Sequence, residues 1–217
     1  MKQFAVIGLG RFGNSLATTL YKMGNEVIAI DIDEEKVENI AEQVTYAVQA
    51  DATDENILKS IGLKNIDVAV ITMASNLEAS ILATLSAKEL GIEKVYAKAM
   101  NDQHSKVLYK IGADKVFLPE RDMGIRVAHT LATTNIFEMI ELDPEHSIIE
   151  INAPEKWDNK TLDEMDFRAK YGVNVIAIKR GKKFNISPIA EDIIKKGDIL
   201  VVLGENKAIE KLESDQK

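Results

Sequence analysis

The most constraining feature of the chain is the way it opens. An apolar run, Phe4-Ala5-Val6-Ile7, passes straight into Gly8-Leu9-Gly10-Arg11-Phe12-Gly13, and a helical pattern starts at once. In such a G-x-G-x-x-G turn each glycine has a physical task. Gly8 permits the tight exit from a strand, Gly10 lets a pyrophosphate approach the backbone, and Gly13 lets the helix lie against the strand. Phosphate oxygens would sit at the helix N-terminus, where unpaired N–H groups and the positive dipole end attract anions. A second apolar run, Glu26-Val27-Ile28-Ala29-Ile30, ends on Asp31, eighteen positions beyond Gly13 and close to where a ribose-binding acid belongs. This strand–glycine turn–helix–strand–acid order predicts the start of a Rossmann unit.

The rest of the first half keeps that rhythm. Tyr46 to Ala50, Asp67 to Ile71, Lys94 to Lys98 and Lys115 to Leu118 read as further strands, alternating with helical segments closed by Gly24, Gly62, Gly91 and Gly112. Asp67-Val68-Ala69-Val70-Ile71 is apolar without alternation, as in a parallel sheet covered on both faces. Six strands with right-handed crossovers predict the doubly wound order 3-2-1-4-5-6, with polar strand ends converging on one edge. Residues 1–120 are therefore expected to form the Rossmann domain. Residues 121–140 are read as one long connecting helix, with apolar Met123, Val127, Leu131 and Met139. From Ser147 the pattern shifts to strands at 148–151, 174–178 and 199–203, a hairpin at 183–186, and helices at 161–167 and 206–212. Residues 141–217 are read as a small α+β domain, near the lower size limit for a single core, where help from a second copy is expected.

Bulk properties bound the function. With 46% hydrophobic residues the chain can bury a core. Its net charge of −8, from 35 acidic and 27 basic residues, argues against a nucleic-acid partner, which wants a basic surface. The absence of cysteine excludes a disulfide framework and thiol catalysis. Strand character from residue 4 leaves no room for a signal peptide, and no apolar run reaches the roughly 18 residues of a membrane span, so a cytoplasmic protein is expected.

Candidate site residues carry alternatives. Asp31 reads as a ribose acceptor that disfavours a 2′-phosphate, and hence NADP relative to NAD, ATP or ADP; the alternative is a helix cap. Asp33 and Lys36 lie just beyond it, within reach of the same ribose or simply on the surface. Asp51-Ala52-Thr53 fits an adenine edge as well as a plain capping turn. Arg11 can place a guanidinium bidentately on phosphate, and Lys98 can reach the same anion. Glu120 is either helix N-terminal charge or an oxygen ligand for Mg²⁺ or Ca²⁺. His104, His129 and His146 are scattered, without metal-ligand spacing, and no nucleophile elbow or paired carboxylates are visible.

Taken with the glycine motif and Asp51-Ala52-Thr53, the stretches Ala113-Asp114, Pro119-Glu120-Arg121-Asp122-Met123-Gly124 and Arg168-Ala169-Lys170-Tyr171-Gly172 resemble the RCK (KTN) family of potassium-transport regulators across essentially the whole chain. The likeness is greatest to the cytosolic subunit of bacterial Ktr uptake systems. It implies a homo-octameric ring of dimers beneath a membrane potassium channel subunit, gated by ATP against ADP, cytoplasmic but peripheral to the inner face of the membrane. It implies Gly8, Gly10 and Gly13 at phosphate, Asp31 at ribose, Asp51 and Thr53 near adenine, Arg11 at the γ-phosphate, Lys98 as phosphate support, and Glu120 at a divalent cation site shared across a dimer. Phe12, Ile32, Asp33, Lys36, Ala52, Ala74 and Asn76 complete the implied nucleotide set. In the C-terminal domain it implies cyclic di-AMP between two copies, with Arg168 at phosphate and Asn174, Ile176 and Pro188 near the base. NAD(H) in the first domain, as in a small NAD-dependent oxidoreductase, is the competing reading.

Overall fold

The computed structural model describes residues 1–132 and 136–215, which separate into two compact units, Met1–Asp122 and Met123–Lys217. The first is built on six parallel strands: β1 (Gln3–Ile7), β2 (Glu26–Asp31), β3 (Tyr46–Gln49), β4 (Val68–Ile71), β5 (Lys94–Lys98) and β6 (Lys115–Phe117). Their order, β3-β2-β1-β4-β5-β6, is the expected doubly wound one, with the chain reversing direction between β1 and β4. Both faces are covered. Along β1, Ala5 and Ile7 join one buried cluster with Leu58, Ala83 and Leu108, while Val6 joins another with Ala17, Val37 and Ile40.

Between the strands lie α1 (Arg11–Lys22), α2 (Glu34–Ile40), α3 (Glu55–Ser60), α4 (Leu77–Glu89) and α5 (Asp102–Lys110). Local side-chain caps fix where most of them start. Asp33, Asp54, Asn76 and Asn101 each accept hydrogen bonds from backbone N–H groups of the first turn of α2, α3, α4 and α5.

Helix α6 (Pro119–Ala132) follows β6. It does not run to Ile140 as the sequence reading expects: Ile136–Glu141 is strand β7, paired antiparallel with β8 (His146–Asn152). Asp143-Pro144 punctuates a hairpin between these strands rather than the end of a helix. The second unit carries one antiparallel sheet of order β10-β9-β11-β8-β7, with β9 (Asn174–Arg180), β10 (Lys183–Asn185) and β11 (Ile199–Glu205). Its strands alternate: in β8, Ser147, Ile149 and Ile151 are buried while the residues between are half-exposed. The expected helix over 161–167 is two short ones, α7 (Leu162–Met165) and α8 (Phe167–Tyr171), broken where Asp166 turns left-handed at φ +39°. The last helix is α9 (Asn206–Ser214). Trp157 and Phe167 meet edge to face, with ring centroids 5.0 Å apart, at the centre of this core.

Candidate functional site

A cleft of about 470 Å³ opens at the carboxyl ends of β1 to β4, where the sheet reverses. Its floor is the glycine turn. Gly8 adopts φ +98°, and its N–H donates to the Ile30 carbonyl at 2.7 Å. The Thr72 hydroxyl, at the end of β4, donates to the Gly8 carbonyl, and the Thr72 N–H donates to Ile7. A Cβ on Gly13 would lie 1.9 Å from the Gly8 carbonyl oxygen and 2.6 Å from Thr72 Oγ1, so no side chain is tolerated there. A Cβ on Gly10 would meet nothing within 4 Å, so that glycine faces open space. One glycine is therefore required by packing, and the other leaves room for a guest.

Asp31 forms the cleft's acidic wall. It is buried, yet both carboxylate oxygens are held: Oδ2 accepts from Leu9 N–H at 2.6 Å and Oδ1 from Asp33 N–H at 3.0 Å. It caps no helix; Asp33 is the cap of α2, accepting from Glu35 N–H at 3.1 Å. Lys36 reaches back over α2, 3.5 Å from Asp31 and 3.3 Å from Asp33. Its hydrogen bond holds the Asp33 carboxyl below the usual carboxylate range. The ammonium in turn titrates above its ordinary value, partial burial being outweighed by the two carboxylates.

Opposite Asp31, Asp51 Oδ1 accepts from the Thr53 hydroxyl at 2.7 Å and the Thr53 N–H at 2.9 Å, which depresses the Asp51 carboxyl. Asp51 and Thr53 line the cleft while closing a local turn on themselves, and Asp54, next along, caps α3. Ile32, Ala52 and Asn76 also line it.

Arg11, Phe12, Gly13, Asp33, Ala74, Lys98 and Glu120 do not line this cleft. Ala74 is buried, and Asp33 and Gly13 serve the local structure just described. The other four make a separate group. Lys98 Nζ lies 2.5 Å from Glu120 Oε1 and 5.6 Å from the Phe12 ring centroid. The Lys98 hydrogen bond holds the Glu120 carboxyl below its ordinary range, and the Arg11 charge adds to the effect. Among the described residues no three His, Asp or Glu side chains gather as a metal would need, around Glu120 or elsewhere. His104 is buried in α5, its Nδ1 accepting from Met100 N–H at 3.3 Å, and burial lowers its pKa.

Met73 and Ser75 line the cleft from the strand-end loop 72–76, which the sequence reading already brings to this edge, whereas Glu78, Ala79 and Leu82, from the first turns of α4, are not among its candidates. The signal was available, because a sheet that reverses between β1 and β4 must bring the start of α4 to the glycine turn.

In the second unit, Arg168 and Asn174 line one cavity of about 240 Å³ with Asp163, Asp166, Phe167 and Val173. Ile176 and Pro188 lie outside it; Ile176 shares the Asn174 face of β9 and is partly exposed.

A doubly wound sheet with a guest-sized cleft at its reversal point, followed by an antiparallel lobe, defines a two-domain protein of nucleotide-binding architecture. Residues 4–119 match the TrkA-N domain and residues 146–216 the TrkA-C domain. The chain belongs to the TrkA-N/TrkA-C (RCK) family, within the group of Ktr-system potassium uptake proteins. It is 49% identical over 212 residues to the Ktr system potassium uptake protein C of Bacillus subtilis, covering 98% of this chain and 96% of that one. It is 46% identical to protein A of the same system and organism, covering 99% and 96%. Its fold is that of the GsuK RCK domain, at a TM-score of 0.70 and 16% identity over 98% of this chain; the match spans 47% of that longer chain.

Proposed function

We propose that this chain is the cytosolic gating subunit of a Ktr-type potassium transporter and reads ATP against ADP in the first unit's cleft. The observation that carries the reading is Asp31. Its carboxylate is buried and oriented by two backbone N–H groups beside a glycine floor that is open at Gly10. That arrangement suits a ribose diol with its phosphates over the N-terminus of α1. Arg11 and Lys98, outside the cleft proper, are the cations available to a terminal phosphate. Loss of that phosphate removes one to two negative charges, and a full two-state switch needs about 5.5 kcal/mol of differential binding.

The relatives are potassium uptake proteins over nearly their full length, which supports a membrane potassium channel subunit as partner and a non-catalytic role. No helix among the described residues is long and apolar enough to cross a membrane, which fits a chain held at the inner face of the membrane by its partner. A ring of dimers brings a second copy's oxygen ligands to Glu120, so that Mg²⁺ or Ca²⁺ binds there between two copies. In the second unit, cyclic di-AMP uses Arg168 and Asn174, which already share a cavity. Ile176, partly exposed in one chain, and Ile186 and Ile189, well exposed, become covered when the second copy closes over the base with Pro188.

Titration calorimetry with ATP, ADP and NAD, paired with light scattering in each nucleotide, tests this. Micromolar ATP and ADP binding with two distinguishable assemblies is expected. Binding of NAD alone, or one assembly in both nucleotides, overturns it.

A further inference from the structure

Helix α8 places Arg168 on the second unit's cavity, and Asn174 enters that cavity at the start of β9. Midway between them, three residues from each, stands Tyr171. Its ring is buried and packs on Phe167 at 6.1 Å between centroids, and its hydroxyl donates to Asp215 at the end of α9. Asp215 is a hub. Lys170 Nζ lies 3.4 Å and Lys156 Nζ 3.6 Å from its carboxylate, and Lys156 also donates to its carbonyl. One turn back on α9, Lys211 Nζ donates to the Lys170 carbonyl at 2.8 Å, taking up a free carbonyl in the last turn of α8. The end of α9 thus grips the C-terminal end of α8 by its phenol, its lysine and its backbone.

We infer that Asp215, acting through Tyr171, is a positioning residue for the cyclic-dinucleotide site. The inference rests on the cyclic di-AMP reading given above. Helix α8 is only five residues long, starts at a left-handed aspartate and ends at Gly172 with φ +79°. So short a helix has little intrinsic stability and takes its orientation from what it is packed against. The Arg168 guanidinium is therefore aimed by the contact at the far end of its own helix. Freeing Tyr171 lets α8 rotate about Gly172, and Arg168 and Asn174 lose their common geometry together. A small angular error in a phosphate clamp costs bidentate hydrogen bonds, which are geometrically exacting.

Cyclic di-AMP binding to the full-length chain by calorimetry tests this with Asp215→Ala, Tyr171→Phe and the double variant. Tyr171→Phe keeps the packed ring and removes only the hydroxyl, so folding survives. Each single variant is expected to weaken cyclic di-AMP about tenfold, the worth of one hydrogen bond to a charged group. The double variant is expected to be no weaker than either single one, because both break the same link. Asp215→Glu is expected to restore binding, and ATP affinity of the first unit is expected to stay unchanged in all four. Wild-type affinity for cyclic di-AMP in both single variants, with Arg168→Ala abolishing binding, overturns the positioning role and leaves the site reading standing. Absence of binding in the wild type, or full binding by Arg168→Ala, overturns the site reading itself. Additive losses in the double variant overturn the single-link account.

Discussion

The two units solve the problem of making a site in opposite ways. The first has a parallel sheet buried on both faces, so every strand delivers its polar end residue to one edge. Gly8, Asp31, Asp51 and Thr72 meet in one cleft although they are far apart in the chain. The second has an antiparallel sheet whose strand ends point both ways, and the cavity lined by Arg168 and Asn174 draws them from a short helix and the start of the next strand. The first unit's cleft lies within one chain, and the second unit leaves Ile186 and Ile189 exposed. The difference teaches where sensitivity lies: in the first unit with backbone packing, in the second with side-chain ties.

Three perturbations break or sharpen that contrast. The largest effect is expected from Gly13→Ala, whose added carbon falls on the Gly8 carbonyl; overpacking of this kind costs about 3 kcal/mol or more. Chemical denaturation followed by circular dichroism should show the loss. Gly10→Ala, by contrast, should melt like the wild type while losing nucleotide binding, since its new methyl enters open space. If the two glycines behave alike, the distinction between packing and guest space fails.

The second perturbation is Asp198→Ala in the antiparallel unit. Asp198 is 1% exposed and takes Arg180 Nε and Nη2, each at 2.7 Å, and Lys195 N–H at 2.8 Å. Removing it strands a partly exposed guanidinium and should cost about 2–3 kcal/mol, read from the denaturation midpoint. Burial alone would raise the Asp198 carboxyl, but the Arg180 and Lys195 contacts outweigh it and hold the folded-state pKa below the ordinary value. The contribution is therefore complete above the unfolded carboxylate range, near pH 4, and is lost as pH falls through the depressed folded value. Acid melts of the wild type should steepen there, and those of Asp198→Ala should not.

The smallest of the three is Asp31→Asn. It is expected to weaken ATP and ADP by about tenfold to a hundredfold, the scale of one or two hydrogen bonds to a charged acceptor, with calorimetry as the readout. Cyclic di-AMP binding in the same variant should be unchanged. A loss in both ligands would mean that the two sites are not separable.

Much of this was legible in the sequence because it is local. The strand–glycine turn–strand order, the unbroken apolar runs and the caps at Asp54 and Thr161 follow from neighbouring residues. The strand order then follows from connection rules. What escaped was decided at a distance. Ile136–Glu141 has enough apolar residues for a helix, and only pairing with β8 makes it a strand. The Lys98–Glu120 pair joins residues 22 positions apart, and no spacing rule announces it. Lys98 ends β5, one place beyond β4 and away from β2 and β3, so it stands apart from Asp31 and the Asp51 turn, which only the strand order reveals. The Asp215–Tyr171 tie spans 44 positions and was invisible for the same reason.

The Thr72 hydroxyl clasping the Gly8 carbonyl has one more implication. With Gly8 N–H bonded to β2 and Thr72 N–H bonded to β1, the turn at the floor of the cleft is braced from both sides. The Gly8 and Thr72 amides should therefore be among the slowest in this unit to exchange with deuterium. A guest of this cleft would therefore meet a floor already fixed by the sheet, without having to order it first.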